Sequence, residues 1–361
     1  MKQLLIDSAI TSIAALVFAL ILIPLLAKIS GLLGLIDKPG HRKIHVKPVP
    51  LVGGLSIVLS TGMASLLTQS GLALFTTHGV LVSACLVLFA IGVWDDRNNL
   101  KPIYRLAVQA LCAWAMAASG IRLTSLYGMF GFEGLNIYWQ YGLTIVIITG
   151  VTNAFNLMDG IDGLAGGLAL INITILSILS ILLGQTALFV LLLGIGGALV
   201  GFLKYNISKI NVFMGDGGSL TLGFLMASVG ILLIESTRVV HTVNINYVVL
   251  LVSTILIIPV FDSLRVYVSR VQRGNSPFKA DKTHLHHLFL IFGLKHKWAA
   301  LYILGLEVVI LVLGFLLGQF TTVSMSIIAV VALFLFVCQL LLLNKGVDKW
   351  KRLISEMEST Y

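Results

Sequence analysis

Amide and carboxylate side chains cluster where a long apolar stretch of the sequence ends. Asn153, Asn156, Asp159 and Asp162 recur at every third position, so successive members are neighbours on a helix. A single Asp at the centre of a bilayer costs about 2.5 to 3.5 kcal/mol on insertion scales, so this group calls for a metal, a ligand or water. A glycine after each Asp favours a break in the helix, which suits a ligand site and also a plain packing corner.

Two other acidic clusters border apolar stretches. Asp95 and Asp96 directly follow one stretch, where a solvated helix end is the simpler interpretation. Asp216 lies in FMGDGGS, whose glycines flank a predicted helix start and would leave N–H groups free to meet an anion. Ordinary helix capping by Asp216 or Ser219 is the alternative there.

Three histidines close a basic loop. His284, His286 and His287 follow several Lys and Arg residues, with Asp281 just before them. Histidines beside Lys and Arg favour hydrogen bonds to phosphate, whereas zinc binding and an incidental surface cluster are the alternatives. The loop is therefore a candidate phosphate contact.

The composition places these clusters in a membrane protein. Hydrophobic residues make up 58% of the chain and charged residues 11%, against roughly 25% charged in soluble domains. The mean hydropathy is +1.02. Eleven apolar stretches are each near the roughly 20 residues that cross a bilayer as a helix. They lie at residues 3–28, 51–69, 74–94, 104–120, 137–157, 163–183, 185–203, 217–235, 246–267, 298–318 and 322–343.

The basic residues predict the orientation. Of 24 Lys and Arg, all but Lys2, Arg122 and Arg238 fall on the odd-numbered connections or the tail. Because basic loops stay in the cytoplasm, the N-terminus should face out and the C-terminus in. Every polar cluster then falls on the cytoplasmic face. The net charge of +9 is foremost a topology signal, and nucleic acid binding is not expected.

The sequence predicts an all-α integral membrane protein with about eleven transmembrane helices. Residues 1–345 should form a single polytopic domain, and residues 346–361 a short cytoplasmic tail. The first span is expected to be a retained helix, since no small-residue cleavage site follows it. Cys85, Cys112 and Cys338 lie singly in apolar spans without CxxC spacing, which argues against disulfides and zinc.

Acids and bases on one cytoplasmic face indicate magnesium-assisted phosphoryl transfer. Mg²⁺ prefers one or two carboxylates plus phosphate oxygens, and nearby cations spread the transition-state charge. The sequence has no Walker loop and no soluble nucleotide domain, which favours a lipid phosphate as one substrate. A cation-coupled transporter is the alternative from another class, but transporter acids lie near the bilayer midplane between inverted repeats. A non-catalytic scaffold would leave the acids unexplained.

Five segments together resemble the polyprenyl-phosphate N-acetylhexosamine-1-phosphate transferases of the WecA and TagO type. They are DKPGHRKIH with the following P-LVGG, GVWDDR, NAFNLMDGIDGLAGG, FMGDGGSLTLGF and SPFKADKTHLHHL, in that order. The resemblance implies transfer of a sugar 1-phosphate from a UDP-sugar to undecaprenyl phosphate, with release of UMP. It implies Mg²⁺ as cofactor, for which Mn²⁺ could substitute.

The resemblance also implies roles for individual residues. The metal ligands would be Asp216 and Asp96. The catalytic residues would be Asp95, Asp96, Asp159, Arg270 and His284. The substrate-binding residues would be Lys101, Arg105, Asn153, Asn156, Gly160, Ile161, Asp162, Phe213, His286 and His287.

Within that set, uridine would lie against Phe213. Asp162 and the Gly160–Ile161 backbone would read the uracil, and His284, His286 and Arg270 would meet the pyrophosphate and the sugar. Asp95 is the expected base. Because a phosphate monoester with a second pKa near 6 is already mostly ionised at pH 7, however, positioning could matter more than proton removal.

Several alternatives stay open within the resemblance. The sister phospho-MurNAc-pentapeptide translocases have three adjacent histidines, whereas Leu285 interrupts the run here, which places the chain on the WecA and TagO side. N-acetylglucosamine is the leading donor sugar, and 6-deoxy-N-acetylhexosamines are used in the same branch. The expected location is the bacterial cytoplasmic membrane, at the start of cell-surface polysaccharide synthesis. Whether that is O-antigen, enterobacterial-type antigen, teichoic acid or capsule is open, as is a homodimer.

Overall fold

The structure is a computed structural model that describes residues 2–37, 48–129, 134–208, 210–240, 243–276 and 283–358. From residue 344 onward only the helical backbone is described. Most of the DKPGHRKIH segment therefore lies outside the described residues, as does Asp281 of the histidine motif.

Helices dominate the described part of the chain, and one small antiparallel sheet accompanies them. In the sheet, β1 (Ile36–Asp37) pairs with β2 (Val49–Pro50). The helices are α1 (Lys2–Leu33), α2 (Gly53–Ser65), α3 (Gln69–Thr77), α4 (Gly79–Asn98), α5 (Pro102–Ala118), α6 (Ile137–Asn156), α7 (Leu164–Leu182), α8 (Thr186–Asn206), α9 (Gly215–Ser236), α10 (Ile245–Thr254), α11 (Ile257–Gln272), α12 (Leu285–Ile291), α13 (His296–Leu317) and α14 (Val323–Glu358).

Apolar helices confirm the all-α membrane class. Seven helices among the described residues are long and apolar enough to cross a bilayer, or up to nine if each of two bent helix pairs is one span. Each of the eleven stretches predicted from the sequence coincides with a helix or a bent pair. Two of the eleven predicted spans are not among these nine. They correspond to α5, which has 17 residues, and α6, which has polar side chains near both ends. The last helix runs past residue 345, so the predicted tail begins inside α14.

Helix α9 forms the centre of the molecule. Its apolar residues are buried, and α2, α4, α6 and α7 pack around it. Glycines allow the closest approaches. A Cβ on Gly54 would lie 2.3 Å from the backbone nitrogen of Gly218, and one on Gly92 would lie 2.5 Å from Cα of Gly217. Small residues of this kind let membrane helices pack backbone to backbone. The start of α9 is thereby fixed beside α2 and α4.

A bend of 55° separates α10 from α11. Pro259 lacks an N–H, so the carbonyl of Ile255 four residues earlier has no helical donor. The side chain of Asn172 on α7 donates to this carbonyl at 2.9 Å. The freed backbone group is thus satisfied inside the apolar interior, as membrane helices require. The bend turns α11 so that its polar residues approach the histidine segment.

Candidate active site

A cavity of about 730 Å³ opens where the polar ends of several helices meet. Most residues that the sequence marked out as a site line this cavity. They are Asp95, Asp96, Arg105, Asp159, Gly160, Ile161, Asp162, Phe213, Asp216 and His287. Residues from four separate stretches of the chain, 95–105, 159–162, 213–216 and the one that carries His287, thus converge on one space.

Arg105 joins two of the acidic clusters. Its Nη1 donates to Oδ2 of Asp95 at 2.5 Å and to Oδ2 of Asp216 at 2.7 Å. The other oxygen of Asp95 accepts from the backbone N–H of Leu100 at 2.6 Å, just beyond the end of α4. Asn156 donates to Oδ1 of Asp216 at 3.1 Å. The end of α4, the start of α5, the end of α6 and the start of α9 are therefore tied together by side chains at the cavity.

Asp96 caps the first turn of α9. Its two oxygens accept from the backbone N–H groups of Asp216 at 2.9 Å and Gly217 at 3.2 Å. A helix start offers unpaired N–H groups, and a carboxylate from a neighbouring helix satisfies them here. Gly215 has a φ of +75°, and a Cβ there would lie 2.7 Å from the Asp96 carboxylate. This position therefore requires glycine, and the GDGG spacing follows from the close approach.

The loop between α6 and α7 supplies Asp159. Burial, helped by the charges of Asp96 and Asp162, raises the pKa of this carboxyl to about 7, against a hydrogen bond from the Gly215 backbone. Carboxylates that disfavour each other's charge in this way call for a cation between or beside them. The cavity wall is thus short of positive charge at this point.

Backbone contacts place the aromatic and the turn residues of the cavity. The N–H of Phe213 donates to the carbonyl of Pro50 at 2.9 Å, and its carbonyl accepts from Gly53 at 3.0 Å. Asn206 accepts from the N–H of Gly163 at 2.6 Å and donates to the carbonyl of Val212 at 2.9 Å. One buried amide thus links the turn before α7 to the segment that carries Phe213.

The three histidines lie in different surroundings. His287 lines the cavity, whereas His284 and His286 are buried. His286 packs against Gly160, where a Cβ would lie 2.5 Å from its Nε2. Burial, helped by His287 and His284, lowers the pKa of His286 to about 3, so its ring is neutral at physiological pH. The neighbouring His284 bonds through Nδ1 to Asp262 at 2.9 Å.

Six residues predicted at the site do not line the cavity: His284 and His286, Asn156, and the three that follow. Asn153 donates to Gln109 at 2.5 Å and to the carbonyl of Thr149 at 2.9 Å, so it joins α5 to α6. Lys101 precedes α5 with an exposed side chain. Arg270 is buried, with its guanidinium 5.6 Å from the ring centre of Tyr267.

The cavity also contains polar residues for which the sequence analysis proposed no role. They are Asp37, Asn99, Asn206, Asn211 and His296. Asn99 and Asn211 have positive φ values of 51° and 36°, a conformation in which Asn is enriched. Each is an isolated residue in a short connection, so no spacing pattern marks it.

The donor set fits Mg²⁺. Six carboxylates line the cavity, and Arg105 is the one Lys or Arg among the described lining residues. No group of three or more His, Cys, Asp or Glu in the described ranges is arranged to hold a metal ion unaided. Mg²⁺ does not need such a group, because it takes one or two protein carboxylates and completes its shell with water and substrate phosphates. Asp216, with 29% of its side chain exposed, is a carboxylate that could bind it.

The fold and the cavity together define a polytopic membrane protein with an acidic cavity where the polar ends of several helices meet. Residues 78–234 match the glycosyl transferase family 4. The chain is 30% identical over 296 residues to a probable undecaprenyl-phosphate N-acetylglucosaminyl 1-phosphate transferase of Bacillus subtilis, covering 81% of this chain and 80% of that one. The chain therefore belongs to glycosyl transferase family 4.

Two further relatives have related activities. An undecaprenyl-phosphate alpha-N-acetylglucosaminyl 1-phosphate transferase of Yersinia pestis is 33% identical over 278 residues, which are 75% of this chain and 74% of that one. A decaprenyl-phosphate N-acetylglucosaminephosphotransferase of Mycolicibacterium smegmatis is 31% identical over 298 residues, which are 75% and 72% of the two chains. The matched family includes enzymes that use both prenyl lengths.

Proposed function

We propose that the protein transfers N-acetylglucosamine 1-phosphate from its UDP derivative to undecaprenyl phosphate, in a Mg²⁺-dependent reaction that starts a cell-surface polysaccharide on its lipid carrier. The observation that carries this proposal is that Arg105 bridges Asp95 at 2.5 Å and Asp216 at 2.7 Å in a cavity where the polar ends of the helices meet. The names of the bacterial relatives support the lipid and the sugar.

The reaction exchanges one phosphoanhydride bond for another. A phosphate oxygen of the lipid forms a bond to the β-phosphorus of the UDP-sugar, and the bond from that phosphorus to the bridging oxygen breaks. The electron pair leaves with UMP. The lipid phosphate is already mostly ionised at pH 7, so it needs orientation more than deprotonation. Asp95, anchored by Leu100 and Arg105, serves this reaction by holding the guanidinium at the point where the phosphates meet.

Charge neutralisation is the main catalytic demand, because two anionic phosphates must approach each other. When bound, Mg²⁺ would neutralise phosphate oxygens at Asp216. Arg105 supplies the second positive charge, and it is held on both sides by carboxylates before substrate arrives. Such a preset arrangement avoids reorganisation during the reaction. His287 and His296 line the same cavity and can donate to sugar or phosphate oxygens.

The nucleotide would lie against the part of the cavity wall formed by Phe213 and residues 160–162. Phe213, fixed by its backbone bonds to Pro50 and Gly53, offers a ring face for uracil. Gly160 and Ile161 offer backbone groups at the same cavity, and Asp162 offers an acceptor. A ring face together with edge acceptors is the combination that holds a base in a protein pocket.

Orientation and span number complete the proposal. The polar ends of α4 and α9 meet at the cavity. The connections next to these ends are among the odd-numbered ones, which carry most of the Lys and Arg residues. We therefore propose eleven spans, with α5 and α6 crossing as well, an external N-terminus and a cytoplasmic site in the bacterial inner membrane.

A direct assay tests the proposal. Purified protein is incubated with undecaprenyl phosphate, Mg²⁺ and a panel of labelled UDP-sugars, and both the lipid product and UMP are measured. UDP-N-acetylglucosamine should react fastest. Asp216→Asn should lower turnover at least about 100-fold, because its charge no longer balances the cation in the transition state.

Asp7→Asn is the matched control. Asp7 is also a buried carboxylate in a hydrogen-bonded group, with Ser70, but it does not line the cavity. Its variant should keep wild-type turnover. Normal turnover of Asp216→Asn at low Mg²⁺, or no labelled lipid from any UDP-sugar with the wild type, would contradict the proposal.

A further inference from the structure

Asp262 on α11 is a fully buried carboxylate that the mechanism above does not use. Three donors surround it. Arg265 donates from Nη2 at 2.6 Å and the backbone N–H of Leu285 at 3.0 Å, both to Oδ1. Nδ1 of His284 lies 2.9 Å from Oδ2. Both oxygens of this carboxylate are therefore committed to the histidine segment, residues 283–287, or to the arginine that supports it.

The carboxylate determines which nitrogen of His284 carries the proton. An ionised carboxylate can only accept hydrogen bonds, and the adjacent Arg265 favours the ionised form. The proton of a neutral His284 must then lie on Nδ1, which leaves Nε2 as the nitrogen that can accept a proton or meet another group. Without this partner either ring nitrogen could carry the proton.

Arg265 also fixes the start of the histidine segment. The same Nη2 that meets Asp262 donates to the carbonyl of Thr283 at 2.6 Å. The segment therefore has its backbone bonded at Thr283 and Leu285 and its side chain bonded at His284. His286, between these and the cavity-lining His287, packs against Gly160 of the cavity wall.

We propose that Asp262 is a positioning residue for the transfer reaction, acting through His284 to fix its tautomer and to hold the histidine segment against the cavity. This proposal rests on the proposed function. It assigns Asp262 no contact with substrate. A purely structural carboxylate would affect folding but would not determine the protonation pattern of one imidazole.

Asp262→Asn is the first test, because an amide presents only one oxygen and cannot satisfy both His284 and the Leu285 and Arg265 donors. We expect kcat to fall about 100-fold or more, while KM for the lipid phosphate changes less than about 3-fold. In Ser-His-Asp enzymes the same loss of the correct tautomer lowers kcat about 10⁴-fold. Asp262→Glu restores the carboxylate and should recover a large part of kcat.

A double-mutant cycle with His284→Ala separates the two roles. If Asp262 acts through His284, Asp262→Asn added to His284→Ala should cause less than about a 3-fold further loss. Losses that multiply in the double variant would overturn the proposal, as would an Asp262→Glu variant no more active than Asp262→Asn. Asp7→Asn, also buried and hydrogen-bonded by Ser70, should leave kcat unchanged.

A measurement without turnover distinguishes this proposal from the proposed function. Nitrogen NMR of histidine-labelled protein, with the His284 signal assigned by its loss in His284→Ala, should show the proton on Nδ1 in the wild type. In Asp262→Asn the proton should shift to Nε2. An unchanged tautomer in Asp262→Asn would overturn the proposal, even if the wild type carries out the transfer. If the tautomer shifts as expected but the wild type shows no transfer, the proposed function is refuted instead.

Discussion

Charge is unevenly distributed among the residues of the cavity. Asp37, Asp95, Asp96, Asp159, Asp162 and Asp216 line it, and among its described lining residues the permanent positive charge comes from Arg105. Hydrogen bonds reduce the free-energy cost of ionising Asp96, which accepts from two backbone N–H groups. Asp95 likewise accepts from a backbone N–H. For Asp159, one hydrogen bond from the Gly215 backbone opposes burial and two neighbouring negative charges. The stability of the protein should therefore depend on pH and on bound metal at this carboxyl.

The raised pKa of Asp159 predicts a pH-dependent stability. The folded state holds its proton up to about pH 7, whereas the unfolded chain loses it near the ordinary value of 3.8. Between those values the folded state binds more protons, so stability falls as pH rises. Asp159→Asn should match the wild type near pH 4 and exceed it by about 1 to 2 kcal/mol at pH 8, after allowance for solvent screening.

Thermal unfolding in detergent with a chelator measures this difference. The Asn side chain can still accept from the Gly215 backbone, so the comparison isolates the charge. Adding Mg²⁺ at pH 8 should narrow the difference, because a bound cation supplies the missing positive charge. Equal stability of the two proteins at pH 8 without metal would contradict the assignment of charge strain to Asp159.

The sequence predicted those site residues that carry charge in a recognisable pattern. Asp95, Asp159 and Asp216 are acids beside apolar stretches, which is unusual enough to notice. Asn206 gave no such signal, because one Asn at a helix end is ordinary, and its role depends on a turn 43 positions away. The spacing of Asn153 suggested a substrate contact like that of Asn156. Its amide instead contacts Gln109 and a backbone carbonyl, whereas Asn156 bonds to Asp216 of the cavity.

Among the helices, α9 depends most on glycine. Its first turn contacts α2 at Gly54 and α4 at Gly92 through backbone atoms, with no side chain that could move aside. These contacts set the distance between the acids of α4, Asp95 and Asp96, and Asp216 of α9. Backbone spacing therefore controls the geometry of the site as directly as the carboxylates do.

Gly92→Ala should disrupt this packing. The added Cβ would lie within 2.6 Å of three backbone atoms of α9, so the helices must separate, at a cost of about 1 to 3 kcal/mol and of most activity. Gly150→Ala on α6 is the matched control, since a Cβ there has no atom within 4 Å. Thermal unfolding and turnover of both variants provide the check, and a fully active Gly92→Ala would refute the close-contact account.

The bend between α10 and α11 depends on a residue of α7. Asn172→Leu should leave the carbonyl of Ile255 without a donor and destabilise the protein by about 1 to 3 kcal/mol. Pro259→Ala restores an N–H that can reach that carbonyl, so Asn172→Leu should cost less in the Pro259→Ala background. Unfolding measurements on the four proteins of this cycle supply the values. Equal costs in both backgrounds would show that Asn172 does not act on the bend.

At the scale of the molecule, the helix pattern was readable from the sequence and the bends were not. Each predicted apolar stretch became helical because hydrocarbon leaves the backbone no other way to satisfy its hydrogen bonds. Composition does not show that residues 246–267 divide into two helices at 55°, since the donor that stabilises the break lies on α7. Nor does it show that the chain bends by 109° between α2 and α3, at the end of the second stretch.

The orientation of the whole chain is testable with single thiols. The native Cys85, Cys112 and Cys338 are buried, so an introduced surface Cys should dominate labelling. Thr186 at the start of α8 and Ser276 beyond α11 are both exposed, and both are small polar residues close to Cys in size. The basic connections predict that Thr186 faces out and Ser276 faces the cytoplasm.

A membrane-impermeant maleimide should therefore label Thr186→Cys in intact cells and label Ser276→Cys only after the cells are opened. Reporter fusions add independent points, with Gln69 and Glu133 expected outside and Asn98 and Tyr361 inside. Asp95 and Arg105 flank the connection that contains Asn98, so the side that holds Asn98 is the side from which a UDP-sugar must enter. Labelling of Ser276→Cys in intact cells would place the acidic cavity outside, where UDP-sugars made in the cytoplasm could not reach it.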